Sequence, residues 1–370
     1  MSFFNLHQQY DWDTVTESIL AKTAHDVRQA LASKSPTLND FQALISPAAE
    51  PFLEEMAQKS QQLTLKRFGK TIQLYIPLYL SNECTNSCVY CGFNHKNKME
   101  RITLSKEAIM REVEVIKAMN FNHLLLVTGE HPRKSGIDYL LQVIEWVKPH
   151  FAQISIEVAP MDEAEYKQLI HAGLHAVYIY QETYNQHNYS IYHPAGKKAD
   201  FRYRLETPDR LGSAGIHKMG LGVLLGLEDW RTDSFFTALH LKHLEKNYWK
   251  TKYSIAFPRL RPHVGSFQPN VHVTDKHLFQ LICAYRILSE EVEISLSTRE
   301  NPTYRNNLVG LGVTAMSAGS KTEPGGYANS NKALEQFAVS DDRSVLQIAT
   351  MIHQKGYQTI YKDWDCMLQQ

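Results

Sequence analysis

Three of the chain's five cysteines fall within eight residues, Cys84-Thr85-Asn86-Ser87-Cys88-Val89-Tyr90-Cys91, spaced Cys-x3-Cys-x2-Cys. Disulfides use cysteines in pairs, and these spacers are too short for a cross-linked framework. Three thiolates on one loop point instead to a metal. Two metals suit them. Zinc would close a tetrahedral structural site with a fourth ligand, which His95 lies near enough to supply. An iron–sulfur cube would leave one iron without a protein ligand, open to a small chelating molecule. The residue types leave both readings open.

The loop follows Ile72–Leu80, a run with the apolar density of a buried strand. From there the pattern strand, loop, helix repeats. Further strands are expected at His123–Thr128, Gln153–Val158, Ala176–Tyr180, Lys218–Leu225, Lys252–Phe257, Glu293–Ser297 and Val313–Ala315. Helices are expected at Ser105–Met119, Gly136–Val147, Asp162–Ala172, Asp200–Ala214, Thr232–Lys246 and Thr274–Leu288. In the first of these Ser105 caps, and Ile109, Val113, Ile116 and Met119 share a face. Eight strands alternating with helices predict an α/β fold, a (β/α)8 TIM-type barrel over residues 71–330.

Residues 1–70 read as an N-terminal helical extension, with starts at Asp11-Trp12-Asp13-Thr14 and at Ser46-Pro47, where Ser46 is the expected cap. Residues 331–370 read as a C-terminal helix, Val345 to His353, and a tail packed on the barrel with Tyr357, Tyr361 and Trp364.

In such a barrel, chemistry gathers where the strands end at their C-terminal rim. Thr128-Gly129-Glu130 ends the second strand, Glu157 the third and Gln181-Glu182 the fourth. Pro258-Arg259-Leu260-Arg261-Pro262 follows the sixth, Ser297-Thr298-Arg299-Glu300 ends the seventh, and Ser317-Ala318-Gly319-Ser320 follows the eighth. Lys+Arg and Asp+Glu both number 39, and the composition is 43% hydrophobic and 21% charged. That balance points to neither a nucleic-acid nor a membrane partner. No leader-like or membrane-length apolar run is visible, so a cytoplasmic protein is expected, where reduced thiols persist.

With Tyr90 just before its third cysteine, the motif resembles that of the radical S-adenosylmethionine (SAM) enzymes. The wider match is to their tyrosine-lyase family, the 2-iminoacetate synthases of thiazole (thiamine) biosynthesis. It is carried by Pro77–Asn82, Cys91-Gly92-Phe93, Leu124–Glu130, Tyr178–Tyr184, Tyr192–Lys197, Gly222–Trp230, Pro258–Pro262 and Ser317–Tyr327.

The resemblance implies that Cys84, Cys88 and Cys91 hold a 4Fe-4S cluster whose fourth iron chelates SAM. One electron then releases methionine and a 5′-deoxyadenosyl radical. The Cα–Cβ bond of L-tyrosine breaks to give 2-iminoacetate (dehydroglycine) and 4-cresol. It further implies an electron donor such as flavodoxin or ferredoxin, and thiazole synthase as partner, because the imine hydrolyses readily.

Thr128-Gly129-Glu130 resembles the family's Gly-Gly-Glu segment, with Thr in place of the first Gly, and would meet the methionyl ammonium. Glu157 would meet the ribose hydroxyls or sit in a rim ion pair. Glu293, Ser295, Ser297 and Arg299 share one strand face, which aims Arg299 into the lumen as first choice for the substrate carboxylate. Arg259 and Arg261 follow it, with a structural ion pair as their alternative. Tyr79 would touch SAM or substrate, or simply pack the lumen. Ser317 and Ser320 would bond substrate polar groups or cap the loop. Arg204 is a candidate for the SAM carboxylate, although a solvated helix charge is its ordinary reading. Cys283 reads as a core thiol, and no histidine other than His95 merits a metal test. The lone tail cysteine, Cys366, argues against the second cluster of the related hydrogenase-maturation lyase. The competing expectations are a lyase for tryptophan and a non-catalytic zinc-stabilised binding protein.

Overall fold

A computed structural model describes residues 2–362, which places Trp364 and Cys366 outside the described residues. Its strands are β1 Thr71–Tyr75, β2 Pro77–Ser81, β3 His123–Thr128, β4 Gln153–Glu157 and β5 Leu174–Tyr178. Then come β6 Lys218–Gly222, β7 Lys252–Ala256, β8 Glu293–Leu296, β9 Ala315–Ser317 and β10 Gln358–Ile360. They form one sheet in the order β10-β1-β9-β8-β7-β6-β5-β4-β3-β2. Every pairing is parallel, as helical crossovers require.

β1 and β2 are one run of chain interrupted only at Ile76. The first half pairs with β9, Tyr75 opposite Ser317, and the second with β3, Tyr79 opposite Val127. The two ends of the sheet therefore meet on that run, and the wall curls into a TIM-type barrel. β10 pairs with β1, Thr71 opposite Gln358. Just past it, the Tyr361 carbonyl accepts from the Asn122 N–H at 3.1 Å, beside the start of β3. The C-terminal segment thus fills the seam between β1 and β3.

Alternation along the strands separates wall from lumen. Leu124 and Leu126 of β3 lie in the main core, while Leu125 and Val127 form an inner cluster with Tyr79 and Phe93. In β8, Ile294 and Leu296 are buried in the main core, leaving Glu293 and Ser295 to line the lumen. The helix Lys106–Ala118 starts at Ser105, whose hydroxyl accepts from the Ala108 N–H at 3.4 Å, and buries Ile109, Val113 and Ile116. The preceding helices pack on the far side. Leu38–Ile45 and Leu53–Phe68 lie against Asp275–Leu288, where Gln280 Nε2 donates to the carbonyls of Leu44 and Ser46 at 2.9 and 2.8 Å.

Three local expectations are corrected. Ser46 caps nothing: its hydroxyl donates back to the Ala43 carbonyl at 2.7 Å, and Pro47–Phe52 winds as a 3-10 helix before Leu53–Phe68 begins. The stretch 200–214 is two helices, Phe201–Leu205 and Thr207–Ala214, since Pro208 cannot continue the first. The last barrel strand is Ala315–Ser317 rather than Val313–Ala315, because Gly310 and Gly312, both at positive φ, keep the preceding apolar residues in a turn.

Candidate active site

The lumen holds a cavity of ≈ 230 Å³, lined at one end by Cys84, Cys88 and Cys91. Main-chain bonds hold the cysteine loop on several sides. The N–H groups of Thr85, Ser87, Val89 and Gly92 donate to the carbonyls of Glu130, Ala195, Tyr192 and Gln336 at 3.0, 3.0, 3.1 and 3.1 Å. Arg101 staples its far end, donating to the carbonyls of Asn82, Phe93, Asn94 and Asn97. Burial pushes all three thiols up, Cys84 to about 11, so thiolates here need a strong positive charge beside them. His95 is exposed, with Nδ1 2.9 Å from Ser87 Oγ, and does not line the cavity. Among the described residues no three His, Cys, Asp or Glu side chains close on a single-ion site. That arrangement is poorly matched to a mononuclear zinc.

Next to the thiols lies a buried network of four charges. Glu130 accepts from Arg204 Nη1 at 3.0 Å through one oxygen and from Asn86 Nδ2 at 2.7 Å through the other. Arg204 also donates to the Tyr180 carbonyl at 2.7 Å, and Lys198 Nζ lies 2.7 Å from Glu182 Oε1. Burial alone would raise Glu130, but Arg204 and Lys198 outweigh it and hold the carboxyl below its ordinary range. Glu182 takes φ 72°, a left-handed conformation a glutamate adopts only when its surroundings compel it. Gly129 is required by close approach, since a Cβ there would sit 2.3 Å from the Glu83 carbonyl and 3.2 Å from Cys84 Cβ.

Glu157 and Arg299 line the same cavity. Burial, with Glu182 second, pushes Glu157 from 4.5 up to about 7. Because its folded-state proton affinity is raised, its stabilising contribution is complete below pH 4.5 and is lost as pH rises through about 7. Between about pH 5 and 7, urea unfolding of the cofactor-free chain should show stability falling with pH relative to Glu157→Gln. The slope difference should approach about 1.4 kcal/mol per pH unit; parallel profiles would contradict the assignment. Arg299 stacks on Phe337, Cζ 3.4 Å from the ring centroid, and has no carboxylate partner among the described residues. Burial lowers its pKa.

The other sequence candidates divide. Arg259 and Arg261 both pair with Glu300, Arg261 at 2.9 Å, so they are structural ion pairs. Arg204 is no solvated helix charge; at 5% exposure it is buried among carboxylates. Ser317 Oγ accepts from the Thr298 N–H at 2.8 Å. Ser320 Oγ and Thr128 Oγ1 are buried with no hydrogen-bond partner among the described residues, and both residues line the cavity. The Tyr79 hydroxyl donates to Gln336 Oε1 at 2.8 Å. Sequence reasoning missed Lys198 and Gln336. Lys198 directly follows the Tyr192–Lys197 stretch, a usable signal, whereas Gln336 carries none.

A parallel barrel that brings Cys-x3-Cys-x2-Cys from its first strand to the mouth of a polar lumen has the architecture of a radical SAM enzyme. A model of the Radical SAM superfamily matches residues 78–238, and one of the Biotin and Thiamin Synthesis associated domain matches residues 256–358. The chain is 48% identical to 2-iminoacetate synthase of Escherichia coli (strain K12), over 99% of its own length and 98% of the relative's. It is 46% identical to that of Salmonella typhimurium, with the same coverage. The crystal structure of HydG, a maturase of the FeFe-hydrogenase, superposes with a TM-score of 0.89 at 31% identity, covering 95% of this chain and 80% of that one. The chain belongs to the 2-iminoacetate synthase family.

Members use a 4Fe-4S cluster and SAM, and the residues present fit both. Three soft sulfur donors leave one iron of a cube free, and the same cavity is lined by the Glu130 carboxylate, held by Arg204 and Asn86, and by two buried hydroxyls that have no partner among the described residues.

Proposed function

We infer that the chain is a carbon–carbon lyase that breaks the Cα–Cβ bond of L-tyrosine, giving 2-iminoacetate and 4-cresol and supplying the thiazole precursor of thiamine. The observation that carries this reading is near-full-length identity of 48% to 2-iminoacetate synthase.

Cys84, Cys88 and Cys91 would hold the cluster, which, with SAM bound and one electron supplied, would provide a 5′-deoxyadenosyl radical and release methionine. The chain's own residues bind and orient. Glu130, kept ionised by Arg204 and Lys198, offers lone pairs to the methionyl ammonium. Gly129 lets the backbone approach closely, and Glu157 accepts from the ribose hydroxyls. Arg299 presents its guanidinium to the carboxylate of tyrosine. Lumen walls of Tyr79, Leu125 and Val127 keep water from the reacting carbon. Flavodoxin or ferredoxin supplies the electron, and thiazole synthase receives the labile imine. Among the described residues no helix is long and apolar enough to cross a membrane; a cytoplasmic location suits the reduced thiols.

Anaerobic incubation with SAM, reductant and L-tyrosine should yield 4-cresol and 5′-deoxyadenosine together. Arg299→Lys should lose about 10- to 100-fold in kcat/KM for tyrosine, the worth of a hydrogen-bonded charge, with the iron content unchanged. 5′-Deoxyadenosine formed with tryptophan but not tyrosine would reject the substrate; a colourless protein holding one zinc would reject the class.

A further inference from the structure

Cys91 receives a hydrogen bond that the lyase reading does not require. Gln336 Nε2 lies 3.6 Å from its Sγ, and Gln336 Oε1 accepts from the Tyr79 hydroxyl at 2.8 Å. Among the described residues, Gln336 is the one side chain that donates to any of the three cluster-loop sulfurs. A metal-bound thiolate can only accept, so the amide must turn its NH2 toward sulfur. The oxygen is then left for a donor, and Tyr79 supplies one. The Tyr79 ring is fixed in turn, 5% exposed and edge-on to Phe93 at 5.9 Å.

The main chain around Gln336 is anchored independently of its side chain. Its N–H donates to the Thr322 carbonyl at 3.0 Å, and its carbonyl accepts from the Gly92 N–H at 3.1 Å. The contact with Gly92 is so close that a Cβ there would stand 2.4 Å from the Gln336 oxygen. Thr322 Oγ1 donates to the Phe337 carbonyl at 3.0 Å. Residues 336 and 337 therefore join the cysteine loop to the face that carries Arg299.

We propose that Gln336 tunes the reduction potential of the cluster by donating to the Cys91 sulfur, and that Tyr79 holds the amide in the donating orientation. An N–H dipole aimed at a ligating sulfur stabilises the added electron, so it makes the cluster easier to reduce. In this role Gln336 and Tyr79 are positioning residues. The proposal rests on the radical SAM reading, and the test separates the two.

The test is a redox titration of the anaerobically reconstituted full-length chain, followed by EPR. Gln336→Leu keeps the volume and the anchored backbone but removes the donor. Its midpoint should move about 59 mV more negative, a tenfold weaker one-electron equilibrium. Tyr79→Phe should move it the same way by less. In D2O, the wild-type reduced cluster should show an exchangeable-proton coupling that Gln336→Leu lacks. An unchanged midpoint in Gln336→Leu at full iron content overturns the proposal. If Gln336→Leu retains no iron, Tyr79→Phe decides: a negative shift supports the proposal and an unchanged midpoint overturns it. A wild-type chain that takes up no iron would refute the radical SAM reading instead.

Discussion

A chain with Cys88 replaced by alanine is expected to stay colourless after anaerobic reconstitution and to form no 4-cresol. Cys84→Ala and Cys91→Ala should behave alike, because two thiolates cannot hold a cube that three already leave one ligand short. The loop itself should survive the change. Its main chain is held by the carbonyls of Glu130, Ala195, Tyr192 and Gln336, and Arg101 closes its far end. Far-UV circular dichroism should therefore match the wild type while iron-dependent absorbance is absent. A brown, active Cys88→Ala protein would show that the three cysteines do not act together.

Arg204→Met should cost about 3–5 kcal/mol in urea unfolding of the cofactor-free chain, the penalty for leaving one side of a buried ion pair without its partner. Arg204 is 5% exposed and donates to Glu130 and to the Tyr180 carbonyl. By contrast the Lys66–Glu290 pair sits on an exposed lysine, where pairs contribute about 0–1 kcal/mol. Neutralising both members, Arg204→Met with Glu130→Gln, should recover part of the loss, since no bare charge then remains at Glu130. A single-variant loss below about 1 kcal/mol would mean that water reaches the pair. The variant should also bind SAM more weakly, because burial then raises Glu130 unopposed by Arg204.

What the sequence disclosed and withheld follows from how far apart the partners lie. Strands walled by helices outside and facing a lumen inside show as apolar runs with a polar residue at each rim. Glu157 and Arg299 were visible for that reason. The cysteine loop announced itself through local spacing. β10 did not, because Gln358-Thr359-Ile360 is three residues long and has no apolar pattern; only its place in the seam makes it a strand. Arg204, in Phe201-Arg202-Tyr203-Arg204, looks like any helix charge until Glu130 arrives from 74 positions away. Gln336 meets Cys91 across 245 positions, and nothing near a glutamine signals a sulfur that distant. The misplaced last strand had a local cause, apolar residues held in a glycine turn.

The way the C-terminal segment fills the seam also sets an order of events during synthesis. β1 leaves the ribosome well before the residues that complete its surroundings: the cavity residues Gln336 and Phe337 follow about 260 residues later, and its edge partner β10 about 285 residues later. Until they emerge, the nascent barrel has an open edge and the cysteine loop lacks its Gln336 contacts. Cluster assembly is therefore expected to follow completion of the chain, with the three thiols kept reduced until Gln336 is in place.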